Sequence, residues 1–281
     1  MDKKLTVSIV IPTLNSERYL ADTLQSISKQ TQKVDEIIIV DGGSTDGTQS
    51  IVKSFEAKFL KCDRGRSKQK NYGAKHSFGD CLYFVDDDFV LDERIVEEAI
   101  EQIKQGFDMV AVHNTSDGSV SFWAKVRKFE RDMLKFAHSG ISPRFLTRKA
   151  FMSVNGFNEN MVAGEDYDIF NRLQEAGFKM SFINSEETHL GEPKRLADIA
   201  KKHFFYGSTL ANKSSAGTPR KLTFWQKVPI KPAYVRNLPR FIKHPILSIG
   251  FIIYQIVRYT SAAFGYVFGK IASENSDQTF R

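Results

Sequence analysis

Short apolar runs rich in isoleucine, valine and aromatic residues alternate with amphipathic segments along the first part of the chain. The runs predict buried strands at 5–12, 35–40, 59–62, 81–85 and 108–112. The segments between them predict helices at 16–29, 49–58, 68–76 and 94–105. Alternation of strand and helix is typical of parallel strands joined by right-handed crossovers. The sequence therefore predicts an α/β fold with a mostly parallel sheet flanked by helices.

Beyond residue 112 the alternation is less regular. Apolar side chains at helical spacing predict a helix at 122–136, and a second helix at 164–176 is ended by Gly177. A strand that begins at Phe145 separates these two helices. A further strand-like run follows the second helix.

The pattern changes after residue 190. Prolines, aromatic residues and basic residues intermix between 219 and 245, and a mostly apolar stretch then runs from Ile246 to Phe268. This change in composition predicts one domain over 1–190 and a separate, helical C-terminal region over 191–281.

The composition excludes several classes of protein. Of the 281 residues, 41% are hydrophobic and 26% are charged, an ordinary globular balance. The two cysteines form no Cys-x-x-Cys pair, so neither a disulfide framework nor a structural zinc site is indicated, and a reducing cytosolic setting fits best. The N-terminus runs directly into a predicted strand, without the apolar segment of a signal peptide.

Positive charge is concentrated in the C-terminal region. The net charge is +7, and residues 199–273 contain twelve lysines or arginines and no acidic residue. Such a segment binds nucleic acid or an anionic membrane surface, and the neighbouring apolar stretch favours the membrane. Arg258, near the middle of that stretch, would cost about 2.5–3.5 kcal/mol at the centre of a bilayer. A spanning helix, an interfacial helix and a helix packed on the protein therefore all remain open.

Three consecutive aspartates, Asp86, Asp87 and Asp88, follow the apolar run at 81–85. Carboxylates this close repel one another unless positive charge lies between them. Open α/β sheets bind ligands at the carboxyl ends of their strands, and such oxygen ligands suit Mg²⁺ or Mn²⁺ carrying a substrate's phosphates. The competing interpretation is a solvated acidic loop. Because side chains alternate along a strand, we expect Asp87 to face away from the other two and to tolerate substitution best.

Two segments before the aspartates carry candidate chemistry. Asp41 follows a predicted strand and precedes glycines that let a ligand approach the backbone. Its carboxylate is suited to bind a base or ribose, but the same residues also suit a helix-capping turn. The cationic and amide side chains of residues 64–71 are suited to a diphosphate, or to the solvated start of a helix.

Two further candidates follow the aspartates. Asp166 lies at the start of a predicted helix, where a carboxylate can act as a general base or simply be stabilised by the helix dipole. His189 follows a strand-like run. It is either a structural histidine or a third metal ligand beside the aspartates.

Taken together, these segments resemble glycosyltransferase family 2, whose members have the GT-A fold. The matching segments are the opening strand Ser8–Asn15, the nucleotide-recognition loop Ile38–Thr48, the approach Lys70–Gly73 with Gly79–Asp80, the Asp-x-Asp motif Phe84–Asp88, and the acceptor loop Asn155–Glu159 together with the Glu-Asp helix that begins at Gly164. The resemblance covers residues 5 to about 190, and five motifs in the correct order and spacing make it specific. Lys70 stands where the family often has arginine, and Asn155 replaces the first glycine of a Gly-Gly-Phe.

The resemblance implies a role for each motif. Asp166 is implied as the catalytic base. Nucleotide-sugar binding is implied for Pro12, Thr13, Asn15, Asp41, Gly43, Lys70, Asn71, Asp86 and Asp87. Ligation of Mg²⁺ or Mn²⁺ is implied for Asp86, Asp88 and His189. An acceptor side is implied at Gly156, Phe157, Glu165 and Arg172. The first domain is then a catalytic domain with a nucleotide-binding half at about 1–112 and an acceptor half at about 113–190.

The implied reaction is inverting, metal-dependent transfer of a sugar from a UDP- or GDP-sugar, of the hexosyltransferase class, in glycan or polysaccharide synthesis. The expected acceptor is a lipid-linked sugar, a polyprenyl phosphate or a glycan. The expected location is the cytoplasmic face of the cell membrane, through peripheral contact or one embedded helix, with no nucleic-acid partner. The competing hypothesis is a non-catalytic nucleotide- and membrane-binding protein on the same scaffold, which has no need for a metal motif together with a base. A sugar nucleotidyltransferase is disfavoured because Thr13–Glu17 is not a glycine-rich, arginine-containing loop.

Overall fold

The computed structural model describes residues 4–137, 143–161, 164–213 and 231–279. The chain divides into two compact units, one formed by 1–115 with 141–191 and the other by 116–140 with 192–281. Residues 116–140, which the sequence assigns to the first domain, thus group with the C-terminal region. Part of the proline-rich segment, 214–230, lies outside the described residues.

An eight-stranded sheet, in the order β3-β2-β1-β4-β7-β6-β8-β5, organises the first unit. Its strands are β1 (Val7–Thr13), β2 (Glu36–Asp41), β3 (Lys58–Lys61), β4 (Cys81–Phe84), β5 (Phe89–Leu91), β6 (Met109–Ser116), β7 (Phe145–Thr147) and β8 (Met180–His189). The helices of this unit are α1 (Leu20–Ser28), α2 (Thr48–Lys53), α3 (Arg66–Lys75), α4 (Ile95–Lys104), α6 (Arg148–Ser153) and α7 (Glu165–Glu175).

The sheet is parallel on one side and antiparallel on the other. Strand β1 pairs in parallel with β2 and β4, and β2 pairs in parallel with β3. Strand β7 is antiparallel to both β4 and β6, and β5 is antiparallel to β8. Parallel strands require crossover helices, which α1, α2 and α3 supply. The predicted α/β class, a sheet flanked by helices, is confirmed.

Two apolar cores cover the faces of the sheet, because alternate side chains of each strand point to opposite faces. Ile9 and Ile11 of β1 belong to the core that α1 and α4 cover. Val10 belongs to the other core, which also contains side chains of α3, α6 and α7. Burial on both faces explains why the strands appear in the sequence as nearly continuous apolar runs.

The main differences from the sequence prediction are short or non-local elements. The sequence gives no separate signal for β5, which follows the aspartates directly and pairs with the far end of β8. Strand β8 itself continues to His189, well beyond the predicted strand-like run. Both differences have one cause, since pairing between strands about a hundred residues apart leaves no local periodicity to detect.

The second unit is helical. Its helices are α5 (Phe122–Met133), α8 (Leu196–Lys213), α9 (Pro232–Arg236), α10 (Leu238–Lys243) and α11 (Pro245–Thr279). Its core joins Val126, Phe129 and Met133 of α5 to Phe251 and Tyr254 of α11. The apolar stripe predicted along α5 is therefore core, although Phe136 beyond the helix is half exposed. By length and composition alone, Pro245–Ala272 is suited to cross a membrane.

A buried carboxylate, Glu130 on α5, gathers polar groups from three helices of this unit. Its Oε1 accepts hydrogen bonds from the Tyr234 hydroxyl (2.8 Å), Gln255 Nε2 (3.1 Å) and Arg258 Nη1 (3.0 Å). Arg127 Nη1 donates to the second oxygen, Oε2. Burial alone would raise the pKa of Glu130, but Arg127 and Arg258 hold it well below its usual range. Glu130 is therefore ionised and fully paired within the unit.

We expect Glu130→Gln to lower the free energy of unfolding of the second unit by about 3–5 kcal/mol, because removing one partner of a buried ion pair leaves buried charge uncompensated. Denaturant titration followed by the fluorescence of Trp123 on α5 measures this. The control is Glu175→Gln at an exposed position of α7, which should change stability by no more than about 0.5 kcal/mol. A Glu130→Gln effect as small as the control's would show that the cluster contributes little.

Candidate functional site

The carboxyl ends of β1, β2 and β4 meet at one edge of the sheet. Parallel register aligns Thr13 of β1 with Asp41 of β2, and β4 pairs with β1 on the other side. The loops that follow these strands therefore lie side by side. Asn15 joins two of them, because its Oδ1 accepts a hydrogen bond from Thr45 N at 2.9 Å and its N donates to Ser44 Oγ at 2.8 Å.

Asp41 is buried and organises the loop that follows it. Its carboxylate accepts hydrogen bonds from Gly43 N (3.0 Å), Ser44 N (2.9 Å) and Thr13 Oγ1 (3.3 Å). Asp46, later in the same loop, accepts a hydrogen bond from Thr48 N, the first residue of α2, at 3.1 Å. The loop thus contacts the start of α2, as the alternative of a helix-capping turn expects, and the ligand role of Asp41 stays a prediction.

Gln69 of α3 is a buried residue that sequence reasoning included in the cationic stretch but gave no role. Its Nε2 donates to the carbonyl oxygens of Thr13 (2.9 Å) and Val40 (2.7 Å), the ends of β1 and β2. The Thr13 carbonyl also accepts a hydrogen bond from Gly42 N at 2.9 Å. By bonding to both carbonyls, Gln69 bridges the two strand ends.

Asp86 is held by a buried cation from a distant part of the chain. Arg144 Nη2 donates to Asp86 Oδ2 at 3.0 Å, and the other oxygen, Oδ1, is buried without a hydrogen-bond donor. Burial alone would raise the pKa of Asp86, but Arg144, Arg66 and Lys70 hold it well below its usual range. Asp86 is therefore ionised, and its implied role toward a ligand stays a prediction.

Arg144 is in turn held by groups that the sequence analysis did not single out. Its guanidinium lies 4.8 Å from the centre of the Phe89 ring, and its Nε is 3.4 Å from Glu187 Oε2. Tyr83 donates to the other oxygen of Glu187 at 2.5 Å. Burial raises the pKa of Glu187 to about 7, against the opposing effect of Arg144. The only sequence signal for these partners was the need of the aspartates for nearby positive charge.

Asp87 faces other partners than its two neighbours do. Ser16 Oγ donates to its carboxylate, and Thr23 Oγ1 donates to its backbone carbonyl at 3.0 Å. Burial raises the pKa of Asp87 to about 6, assisted by Asp88 and Asp86. Its contacts are with the start of α1 and the loop before it, whereas the resemblance implies a nucleotide contact that stays a prediction.

Asp88 and His189 lie together because β5 and β8 pair antiparallel, with Phe89 opposite His189. Asp88 Oδ2 is 3.1 Å from His189 Nε2. A β-carbon at Gly191 would lie 2.5 Å from the same oxygen, so a larger residue there would displace the Asp88 carboxylate. Among the described residues, no group of three His, Cys, Asp or Glu side chains is close enough to hold a metal ion alone.

Lys70 of α3 is buried between the two carboxylates that begin α7. Its Nζ lies 3.2 Å from Asp166 Oδ1, 3.8 Å from Glu165 Oε1 and 4.9 Å from the centre of the Phe157 ring. Glu165 is buried as well, whereas Asp166 keeps 30% of its side chain exposed. Burial raises the pKa of Glu165, with a further contribution from Asp166. Of the two carboxylates, Asp166 is thus the accessible one.

The residues assigned to the acceptor side form a braced loop. Asn71 Nδ2 donates to Phe157 O at 2.8 Å, and Asn71 Oδ1 accepts from Phe157 N at 2.9 Å. Arg172 Nη2 donates to Gly156 O at 2.8 Å and pairs with Asp168. Asn71, implied by the resemblance to contact the nucleotide, is therefore engaged with this loop, as Arg172 is. Their implied roles toward ligands stay predictions.

The predicted site residues form two groups, and within the first group the charged side chains alter one another's pKa. Lys70 lowers the pKa of Asp86, and Asp166 raises that of Arg144. The aspartate motif and the start of α7 are thus within electrostatic range. Asp41, Gly43 and Asn15 form a separate group in the neighbouring loops, and Pro12 is buried within β1.

Comparison with known proteins identifies relatives by sequence. Residues 8–163 match the model described as glycosyl transferase family 2, and residues 135–195 match a model described as the N-terminal domain of galactosyltransferase. Glycosyltransferase GlyG of Streptococcus pneumoniae is 30% identical over 135 residues, 44% of this chain and 45% of the relative. Glycosyltransferase AglE of Haloferax volcanii is 24% identical over 222 residues, 72% of this chain and 71% of the relative. The chain spans less than half the length of GlyG and 27% of the chondroitin synthase of Escherichia coli.

Several solved structures are similar to this chain at the level of the fold. Mannosyltransferase PcManGT from Pyrobaculum calidifontis, in complex with GDP-Man and Mn²⁺, has a TM-score of 0.62 at 16% identity and covers 98% of this chain and 88% of that one. Residues 1–349 of TarS from S. aureus, in complex with UDP, give a TM-score of 0.53 at 17% identity and cover 97% and 92% of the two chains. The GT-A-like fold expected from the sequence is confirmed. The family model matches more than half of the length of this chain, which therefore belongs to glycosyl transferase family 2.

Proposed function

We propose that this chain is an inverting, metal-dependent glycosyltransferase that moves a hexose from a UDP- or GDP-sugar to an acceptor. The observation that carries the proposal is the difference between the two carboxylates that begin α7. Glu165 is buried beside Lys70, whereas Asp166 keeps 30% of its side chain exposed. An accessible carboxylate held in place by a buried lysine suits the role of a general base.

Asp166 would take the proton of the acceptor hydroxyl while the acceptor oxygen forms a bond to the anomeric carbon. The bond from that carbon to the nucleotide diphosphate breaks in the same displacement, and its electron pair leaves with the diphosphate. One displacement with one base inverts the configuration at carbon, since retention by double displacement would also need a nucleophile. Lys70, 3.2 Å from Asp166, fixes the direction of the carboxylate.

The donor site is proposed for the neighbouring strand ends. Structures of similar fold hold UDP, UDP-GlcNAc or GDP-Man, which supports a nucleotide-diphosphate sugar. The loop held by Asp41 and Asn15 would receive the base and ribose. Arg66, Lys70 and Arg144 together would stabilise negative charge on the diphosphate, because preorganised cations act most strongly where water is excluded.

The residues present fit a divalent ion. Asp88 Oδ2 and His189 Nε2 converge at 3.1 Å, and Asp86 Oδ1 is buried without a donor. Two or three protein ligands are enough for Mg²⁺ or Mn²⁺ when substrate phosphates complete the coordination, and two similar structures hold Mn²⁺. Such an ion supplies neutralisation of charge on the departing diphosphate. Asp88 and His189 would hold it together with the phosphates, and Asp86, which does not form a three-residue cluster with them, is proposed as the further ligand.

The acceptor is proposed to be a lipid-linked sugar or a polyprenyl phosphate at the cytoplasmic membrane face, within glycan or polysaccharide synthesis. The long apolar helix α11 and the excess of basic residues in the C-terminal region support this location. The alternative acceptor is a soluble or polymeric glycan. A phosphate acceptor is already ionised and would not need Asp166 as a base.

Asp166→Asn should lower turnover of the donor and acceptor by about 10²–10⁴-fold, because the substituted amide cannot accept the hydroxyl proton. Nucleotide binding should be unchanged, since Asp166 is proposed to contact the acceptor and not the donor. Turnover and nucleotide affinity are measured on the same preparation. Glu175→Gln, an exposed carboxylate at the other end of α7, is the control.

Near-normal turnover of Asp166→Asn would contradict the assignment of the base and favour a phosphate acceptor. Nucleotide binding by the wild-type protein without sugar transfer to any acceptor would instead favour the non-catalytic binding protein.

Asp88→Asn should raise the Mn²⁺ concentration needed for half-maximal turnover by about tenfold or more, because it removes one ionised ligand of the proposed ion. A chelator should abolish turnover of the wild-type protein, and added Mn²⁺ should restore it. Asp63→Asn, at an exposed position that pairs only loosely with Lys68, is the control. Equal Mn²⁺ requirements for both variants would remove Asp88 from the metal site.

A further inference from the structure

Within the described part of the second unit, the helix pair α8 and α11 leaves an apolar surface exposed. On α11 the exposed side chains Ile246, Ile249, Ile253 and Ile256 recur at helical spacing. Ile246 is 72% exposed, and Phe264, further along the same helix, is 70% exposed. The exposed apolar side chains nearby are Ile252, Val267, Phe268 and Ile271 of α11 and Phe204 and Phe205 of α8. A continuous apolar surface of this extent marks an interaction site.

The opposite face of α11 is fixed to the unit by polar contacts. Gln255 and Arg258 both donate to the buried carboxylate of Glu130 on α5. Gly250 lies against α5 so closely that a β-carbon there would be 2.7 Å from Val126. A helix that crossed a bilayer on its own would have to carry Arg258 away from Glu130 or take both charges into lipid, and both are unfavourable. The contacts therefore favour a helix that lies along the membrane surface.

The contact between α8 and α11 is of the kind found between helices in lipid. A β-carbon on Gly207 of α8 would lie 2.0 Å from the carbonyl oxygen of Ala262, and one on Gly265 of α11 would lie 2.0 Å from that of Phe204. The backbones thus meet directly at two glycines. In bilayers, where apolar side chains gain nothing by leaving lipid, helices associate through such small-residue contacts. Their large apolar side chains are left to face outward.

The positive charge of the C-terminal region favours an anionic partner. Residues 199–273 contain twelve lysines or arginines and no acidic residue. Arg236 of α9 and Lys243 of α10 are exposed just before α11, and Arg240 is half exposed. A second copy of this chain would bring two such surfaces into mutual repulsion, whereas an anionic bilayer attracts them. Apolar side chains beside basic residues are the pattern of helices that lie in the interface of anionic membranes.

From these contacts we infer that α8 and α11 dock as a pair on an anionic phospholipid bilayer, with α11 lying in the plane of the interface. The isoleucine stripe and the outward phenylalanines enter the acyl boundary, and Arg236, Arg240 and Lys243 meet the lipid phosphates. The Glu130 cluster lies on the opposite, buried face of α11. This inference deepens the proposed membrane location and rests on it for its biological meaning, but docking and sugar transfer are measured separately.

Flotation of the full chain with phosphatidylcholine vesicles, with or without phosphatidylglycerol, tests the docking. The wild-type protein should float mainly with the anionic vesicles. The combined variant Ile249→Asn, Ile253→Asn and Ile256→Asn should partition into the vesicles at least about tenfold less. Each isoleucine side chain that moves from water into the bilayer contributes strongly to the free energy of binding. The matched control, Phe78→Asn with Met152→Asn, alters equally exposed apolar positions of the first unit and should float like the wild type.

Two further measurements fix the mode of binding. Replacing Arg236, Arg240 and Lys243 by glutamine should weaken binding to anionic vesicles by about fivefold for each charge removed and leave binding to neutral vesicles unchanged. An alkaline carbonate wash should release the bound protein, because a helix in the interface does not span the bilayer. Resistance to the wash would contradict the interfacial orientation.

Unchanged flotation of the isoleucine variant, or equal recovery on neutral and anionic vesicles, would overturn the inference. So would an isoleucine-dependent dimer in sedimentation that excludes vesicle binding, since a second copy would then occupy the surface. Donor hydrolysis should persist in the isoleucine variant, and Asp166→Asn should still float. A loss confined to one of these two readouts therefore shows whether docking or the proposed chemistry has failed.

Discussion

Two buried cations, Lys70 and Arg144, are what allow several carboxylates to share one edge of the sheet. Burial and mutual repulsion would otherwise favour the neutral acids. Arg144 holds Asp86 in its ionised form, and Lys70 lies between Glu165 and Asp166. Lys70 is buried and Arg144 is largely buried, so an unpaired charge at either position would be costly. The charge balance thus leaves Asp166 as the accessible carboxylate and one oxygen of Asp86 without a donor.

The second unit uses the same principle for a different purpose. One buried carboxylate, Glu130, fixes α11 along a single face through Gln255 and Arg258. An arginine in the middle of an apolar helix looks from the sequence like an obstacle to membrane contact. In the structure it is the anchor that determines which face of the helix is left apolar and outward. The contact with Glu130 therefore fixes one side of α11 through polar groups and leaves its apolar side exposed.

The sequence predicts well whatever depends on local periodicity. The strands that end at Thr13, Asp41 and the aspartates, and the helix that begins at Glu165, follow from short apolar runs and their boundaries. The order of the motifs along the chain indicated the family. Together these were enough to locate the edge of the sheet where the candidate site lies.

What the sequence could not predict are partners far apart in the chain. Arg144 is 58 residues from Asp86, and Tyr83 is 104 residues from Glu187. The need of the aspartates for a cation was evident, but among forty lysines and arginines no spacing rule selects Arg144. Asn71 is a case in which a motif implied a contact that the structure uses differently. The resemblance implied a contact with the nucleotide, whereas the Asn71 amide donates a hydrogen bond to the loop at Phe157.

A panel of nucleotide sugars tests the central claim that the paired carboxylate edge binds a nucleotide diphosphate. The melting temperature of the wild-type protein is measured with UDP-, GDP-, ADP- and CDP-sugars, each with Mn²⁺ and with a chelator. One uridine or guanosine donor should raise the melting temperature, and only when Mn²⁺ is present, because the ion and the buried cations together neutralise the diphosphate. No shift with any donor, or an equal shift in the presence of the chelator, would contradict it.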